Sequence, residues 1–340
     1  MRTTRNFDGE LGRRLRSMPE QLEEALSMEL PKLPKKTKIC VCGLGNSATA
    51  GDIVSDFVNQ YSKTQVVVVR NMEIPKWAGQ DTMVILVSYS GNTREVRNMF
   101  KTAVRRKCAV VCVTSGGALM DLCRENGRCT LVQLPGGMPP RAAMGYLVGA
   151  LGMIFEKIGV CEFRSHAEAM LPRLKRVRDE LETEENAATE IVDRIGFKIP
   201  VVYSLSNMRP VSLRWKSQIN ENSSTIAFCG TIPGFNHNEI IGWTEDGLSD
   251  HFLPIIIYDT GASELIRGMT DTTLGVLRDS DLDLYVYYID GDNNLEKSLI
   301  CVLLGDYVSL RLADRRDVDP NPDTVLSTVI EGTLLDETAE

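Results

Sequence analysis

The sequence predicts an α/β protein of two domains, each a parallel β-sheet flanked by helices. Three observations carry this. Short β-branched runs alternate with helical patterns in both halves of the chain, the strand candidates are apolar on both faces, and 340 residues is about twice the usual single-domain length. A strand that is apolar throughout needs cover on both faces, which a parallel sheet between helical layers provides.

Leu11, Leu15, Met18, Leu22, Ala25 and Leu26 recur at helical spacing and predict one N-terminal packing helix, ended by Pro31 and Pro34. Strands are then expected over 39–41, 66–69, 84–87, 109–113 and 130–132, with helices over 48–58 and 93–104 between them. From Ala142 to Glu182 the pattern is helical and increasingly charged, which predicts one long connecting helix. The alternation resumes with strands over 200–203, 225–228, 253–257 and 284–288 and closes with a long helix over 295–313. The expected organisation is a first domain over 1–155, a helical connector over 156–195 and a second domain over 196–340. The sequence has no strong internal repeat and no low-complexity segment.

Composition narrows the function. A chain that is 43% hydrophobic and 25% charged is an ordinary folded one, not a disordered or collagenous one. Its apolar runs fall short of the roughly 18 residues of a membrane span. Arg2, Arg5 and Asp8 around Phe7 leave no apolar signal core, so the cytoplasm is the expected compartment. Nine cysteines without a C-x-x-C spacing, several inside apolar runs, read as reduced core thiols. A net charge of −8 argues against general affinity for nucleic acid or anionic membrane, so an anionic substrate needs a local site.

Three turns offer one. Cys42-Gly43-Leu44-Gly45-Asn46-Ser47-Ala48 stands where a strand hands over to a helix, and glycines there let the backbone approach a phosphate at the helix start. A dinucleotide loop wants a third glycine where this chain has Ala48, which disfavours a nicotinamide cofactor. Ser88-Tyr89-Ser90-Gly91-Asn92-Thr93 follows the strand over 84–87 with the hydroxyls of Ser88, Ser90 and Thr93, and Thr114-Ser115-Gly116-Gly117 follows the strand over 109–113. Any one such turn is more often a helix cap than a ligand site, but three in one domain favour phosphate.

These motifs resemble the sugar isomerase fold, and Pro139-Pro140-Arg141-Ala142, Trp215-Lys216-Ser217-Gln218-Ile219-Asn220-Glu221-Asn222 and Asn236-His237-Asn238-Glu239-Ile240-Ile241-Gly242-Trp243 resemble elements of the bifunctional phosphoglucose/phosphomannose isomerases. The resemblance runs from about Lys38 to Pro322. Asn46 and Pro139 depart from it, standing where glycine and glutamine are expected. It implies two domains of the sugar isomerase type. It also implies that Ser47, Ser88, Ser90 and Thr93 hold a sugar phosphate, with Gly45 and Asn46 shaping the loop.

The same resemblance implies the chemistry. Glu221 is the expected base, moving a proton between C2 and C1, and taken alone it reads as a solvated glutamate in a polar turn. Arg141 stabilises the enediolate, as a fixed cation can. His237 and Lys297 open the sugar ring, the histidine arriving from a second subunit of a homodimer. No metal or cofactor is required. The implied activity interconverts glucose 6-phosphate and mannose 6-phosphate with fructose 6-phosphate. Alternatives are an isomerase of another sugar phosphate and a non-catalytic sugar-phosphate sensor. A sensor needs the three turns but not Arg141, Glu221, His237 and Lys297 together.

Overall fold

A computed structural model describes residues 8–245 and 247–320. Arg2, Arg5 and Phe7 near the start of the sequence, and Pro322 at the end of the resemblance, lie outside the described residues.

The leading helical pattern forms two helices, α1 (Glu10–Arg16) and α2 (Met18–Leu26), instead of the one expected. Ser17 breaks the run, its hydroxyl bonding back to Arg14 O, and Pro19 then restarts the helix where a missing N–H costs nothing. The first sheet follows, built from β1 (Lys38–Cys42), α3 (Gly45–Tyr61), β2 (Gln65–Val69), β3 (Thr82–Val87), α4 (Arg94–Arg105), β4 (Ala109–Thr114), α5 (Gly117–Glu125) and β5 (Thr130–Gln133). Its strands are parallel in the order β2-β1-β3-β4-β5. Alternation explains the layers. Ile39, Val41, Ile85 and Val113 face α2, α3 and α6 (Met144–Lys157), while Cys40, Cys42, Leu86 and Cys112 face α4 and α5.

The expected single connector is also broken. α6 ends at Ile158, Gly159 takes φ +82°, and α7 (Phe163–Leu181) and α8 (Ala187–Ile195) follow. A left-handed glycine after the last turn is a standard helix stop. The second sheet is assembled from β6 (Ile199–Leu205), α9 (Arg209–Ser223), β7 (Phe228–Ile232), α10 (Glu239–Glu245), β8 (Phe252–Asp259), α11 (Glu264–Asp279), β9 (Tyr285–Ile289) and α12 (Asn294–Arg316). Its order is β7-β6-β8-β9, again parallel. β7 starts later than the expected 225–228, because Ser224 is left-handed and Asn220 Oδ1 accepts from Ala227 N, which makes 224–227 a turn.

One face of each sheet opens onto the same core. Val41 and Ile85 of the first sheet and Val202, Ile255 and Ile257 of the second join a single cluster through α3, α6, α9 and α12. α12 is buried along almost its whole length, with its apolar side chains packed in this cluster. α9 and α12 lie side by side in the same direction: Asn207 meets Asn294, Trp215 Nε1 donates to Cys301 O at 2.7 Å, and Asn222 meets Ser309. Gly305 allows this closeness, since a Cβ there would stand 2.5 Å from the Trp215 ring. Burial pushes the Cys40 thiol up to about 12, as an inert core thiol requires.

α3 carries a pH-sensitive charge against this core. Burial first, then the neighbouring Asp52, push the Asp56 carboxyl from its ordinary 3.8 up to about 7, with Arg209 pulling the other way. The folded state therefore binds this proton more tightly than the unfolded chain does. The contribution to stability is complete below about pH 4 and is lost as pH rises through about 7. Asp56→Asn is expected to raise the thermal midpoint at about pH 8 by roughly 2–4 °C, with little gain at about pH 4, as a ~1 kcal/mol change does in a chain of this size. An equal shift at both pH values would contradict this.

Candidate active site

Both sheets reverse strand order next to their first strand, and ligands of such sheets bind outside the carboxyl ends at that reversal. In the first sheet the reversal lies between β1 and β3, whose carboxyl ends carry the first two glycine-rich turns. Gly45 adopts φ +51°, so the turn into α3 is made without strain. Ser47 is buried just behind it, and Asn46 faces across to α9.

The second turn is held from within. Ser88 is buried, its Oγ lies 2.8 Å from Thr93 Oγ1 and accepts from Gly91 N at 3.1 Å, while Ser90 stays exposed. Thr114-Ser115-Gly116-Gly117 differs from its sequence reading. Its hydroxyls are taken up inside the protein, Ser115 donating to Tyr89 O at 2.7 Å and Thr114 to Gly116 O at 2.8 Å. This third turn braces the second. Asn92 Oδ1 accepts from Ala118 N at 3.1 Å, and a Cβ on Gly91 would stand 1.8 Å from Gly116 O.

Arg141 arrives on the segment after β5. Tyr89 donates to Pro135 O at 2.7 Å, Gln21 donates to Ala142 O at 2.8 Å, and a short helical turn over Pro140–Ala142 sits between these anchors. The Arg141 side chain is nearly buried, donates to Pro320 O at 3.0 Å, and has Nη1 3.9 Å from Glu221 Oε1. Glu221 stands in the last turn of α9, a third exposed. The carboxylate and the guanidinium come from opposite halves of the chain and meet above the carboxyl edge of the first sheet.

The residue that brings them together was given no role by sequence reasoning. Arg214 is fully buried and donates to Asn46 Oδ1 at 2.5 Å, Arg141 O at 2.7 Å, and Asp306 Oδ1 and Oδ2 at 2.9 and 3.0 Å. Gln218 adds a bond to Asp306 Oδ1 at 2.9 Å. Burial pushes the Asp306 carboxyl up, and the guanidinium and the Gln218 amide pull against it. The signal was a charge on each of two apolar stripes, Arg214 beside Val211 and Trp215, and Asp306 beside Leu303 and Val302.

His237 and Lys297 lie elsewhere. The Asn-His-Asn-Glu segment wraps Tyr203 of β6: Phe235 packs on its ring at 4.8 Å, Tyr203 donates to Glu239 at 2.7 Å, and Trp243 Nε1 donates to the Tyr203 hydroxyl at 3.0 Å. Asn236 is fixed by Thr273, and His237 is left exposed at the carboxyl edge of the second sheet. Lys297 is buried at the start of α12 with Nζ 2.5 Å from Asp259 Oδ2 at the end of β8. Glu221 is level with Ser309, twelve residues further along α12, which is about 18 Å of helix. The fold therefore does not bring Lys297 to Glu221.

A protein from Aquifex aeolicus named bifunctional phosphoglucose/phosphomannose isomerase is 31% identical over 294 residues, covering 86% of this chain and 89% of its own. This chain belongs to that family. A Caldicellulosiruptor bescii isomerase of the same name is 30% identical over 320 residues, 90% of this chain and 94% of its own. The family described as bacterial phospho-glucose isomerase C-terminal SIS domain matches residues 184–329. Among solved structures, a hypothetical protein from Thermus thermophilus shares the fold with a TM-score of 0.77 at 15% identity, covering 98% of this chain and 93% of its own.

In this phosphoglucose/phosphomannose isomerase family member, the second and third turns are packed as one unit, which Gly91 makes possible. Gly91→Ala would force φ +72° on an alanine and drive its Cβ into Gly116 O. Its affinity for a sugar phosphate is expected to fall more than about tenfold, the effect of losing one or two charge-assisted hydrogen bonds. Calorimetric titration with fructose 6-phosphate checks this, and unchanged affinity would remove the second turn from the site.

Proposed function

We propose that this chain interconverts glucose 6-phosphate and mannose 6-phosphate with fructose 6-phosphate by proton transfer through a cis-enediolate. The observation that carries the reading is the Glu221 carboxylate 3.9 Å from the Arg141 guanidinium, beside hydroxyl-bearing turns at the sheet reversal, in a member of this family.

The phosphate is held by Ser47, Ser88, Ser90 and Thr93 at the starts of α3 and α4, where free amides and helix dipoles favour an anion. Glu221 takes the C2 proton of the open-chain aldose, the C–H electron pair becomes the C1–C2 double bond, and the carbonyl pair moves onto O1. Arg141 stabilises that oxygen. The O2 proton then passes to O1, the O2 electron pair forms the C2 carbonyl, and the C1–C2 π pair takes the proton back from Glu221 at C1, which gives the ketose with no atom or electron gained or lost. Glucose and mannose phosphates differ in configuration at C2, which is planar in the enediolate, so one base and one cation suit both.

Ring opening needs a group that can both give and take a proton, and the imidazole of His237 is assigned that role. The surrounding segment also exposes Ile226, Phe228, Ile241 and Leu248, between half and two-thirds accessible, apolar surface of the kind a partner covers. In this reading a second copy covers the face and brings its histidine to Glu221 of the first, and the two-fold axis completes both sites. Lys297, engaged by Asp259, assists ring opening only where that copy carries it near the site.

Fructose 6-phosphate incubated in deuterated water should yield both aldose phosphates carrying deuterium at C2, seen by NMR. Binding without conversion would overturn the enzyme reading in favour of a sensor. Glu221→Gln should lower kcat by about 10²–10⁴-fold with substrate still bound. Mixing refolded Glu221→Gln and His237→Ala copies should recover about a quarter of wild-type activity, since half the dimers are mixed and each has one intact site. A mixture as inactive as its parents would mean that the site is not shared.

A further inference from the structure

Arg214 and Glu221 rise from α9 seven residues apart, two turns along the same helix face. Between them and the rest of the site runs a chain of contacts from both halves of the sequence. Asn46, the second residue of α3, offers its side-chain oxygen to Arg214 Nη1 at 2.5 Å. The same guanidinium holds the backbone carbonyl of Arg141 at 2.7 Å through Nη2. Asp306 grips that nitrogen from α12 at 2.9 and 3.0 Å, and Gln218 grips Asp306. Arg214 has no solvent-exposed surface, so it cannot touch a substrate, and its charge is already matched by Asp306.

We propose that Arg214, clamped by Asp306, is a positioning residue that couples occupancy of the first glycine-rich turn to the spacing of Arg141 and Glu221, with Asn46 as the latch on the loop side. The inference rests on the isomerase reading of the site. A planar, rigid fork has donors for three partners at once and transmits a displacement of any one of them, which a flexible ammonium does not. An anion bound at the turn over Gly45, Asn46 and Ser47 orders Asn46. Asn46 then fixes Nη1, and through the rigid group fixes both the Arg141 carbonyl and the face of α9 that carries Glu221. The bonds are made away from water, where losing one partner leaves the other unpaired.

The test uses Asn46→Gly, Asn46→Asp and Arg214→Lys in the full chain, with two readouts. One is steady-state turnover of fructose 6-phosphate. The other is amide hydrogen exchange over residues 209–223, with and without inorganic phosphate. In the wild type, phosphate should slow exchange in α9. Asn46→Gly should still bind phosphate but lose that slowing, with kcat down about tenfold and KM changed by less than about threefold, as for one charge-assisted hydrogen bond acting in the transition state. Asn46→Asp keeps the acceptor oxygen and should restore kcat, while its negative charge beside the anion raises KM. Arg214→Lys should lose both the slowing and turnover. Wild-type kcat and retained slowing in Asn46→Gly would overturn the proposal, as would a wild type in which bound phosphate leaves α9 exchange unchanged. A wild type that binds but does not turn over fructose 6-phosphate sinks the isomerase reading instead, and the exchange measurement still decides the coupling.

Discussion

Arg214 and Asp306 meet between α9 and α12 in the interior of the protein, and neither side chain reaches solvent. Removing one partner of such a pair costs about 3–5 kcal/mol, because the other is left charged and unpaired, whereas replacing both with apolar groups is often neutral. Stability alone therefore does not account for the pair. Its geometry does: the guanidinium has donors to spare after Asp306 is satisfied, and they go to Asn46 and to the Arg141 carbonyl. The Glu221 carboxylate and the Arg141 guanidinium sit 3.9 Å apart on two segments that this pair helps to join.

The two sheets have the same reversal, yet the two reversals are furnished differently. At the second reversal Asp259 ends β8, takes the bond from Gly261 N at 2.9 Å and holds Lys297 at 2.5 Å. A carboxylate thus occupies the amide and the cation that a phosphate would need, and it repels one besides. The second half contributes instead through α9, whose last turn places Glu221 3.9 Å from Arg141.

Most of the fold was legible because strands buried on both faces announce themselves as β-branched runs, and every sheet strand was anticipated within a few residues except β7. That one was misplaced because Thr225 and Ile226 carry β propensity but lie in a turn imposed by Ser224 and by the Asn220 side chain. The helix breaks at Ser17 and Gly159 were missed since apolar periodicity continues across them. In the site, the Arg141 and Glu221 motifs lie about eighty residues apart and nothing local says that they meet. What joins them is a tertiary ion pair, visible in the sequence only as a charge on each of two apolar stripes. The exposed histidine and the buried lysine were equally opaque, because burial depends on partners that a single sequence does not display.

The central claim is that this buried fork holds Glu221 and Arg141 in reach of one carbon pair of a sugar whose phosphate lies in the first two turns. A crystal structure with bound fructose 6-phosphate tests it directly. The account predicts the phosphate among Ser47, Ser88, Ser90 and Thr93, with C1 and C2 within about 3–3.5 Å of the Glu221 carboxylate and O1 or O2 on the Arg141 guanidinium, a near-attack arrangement. A phosphate seated elsewhere, or a sugar whose C1 and C2 face away from Glu221 with the Arg214–Asp306 pair intact, would contradict it.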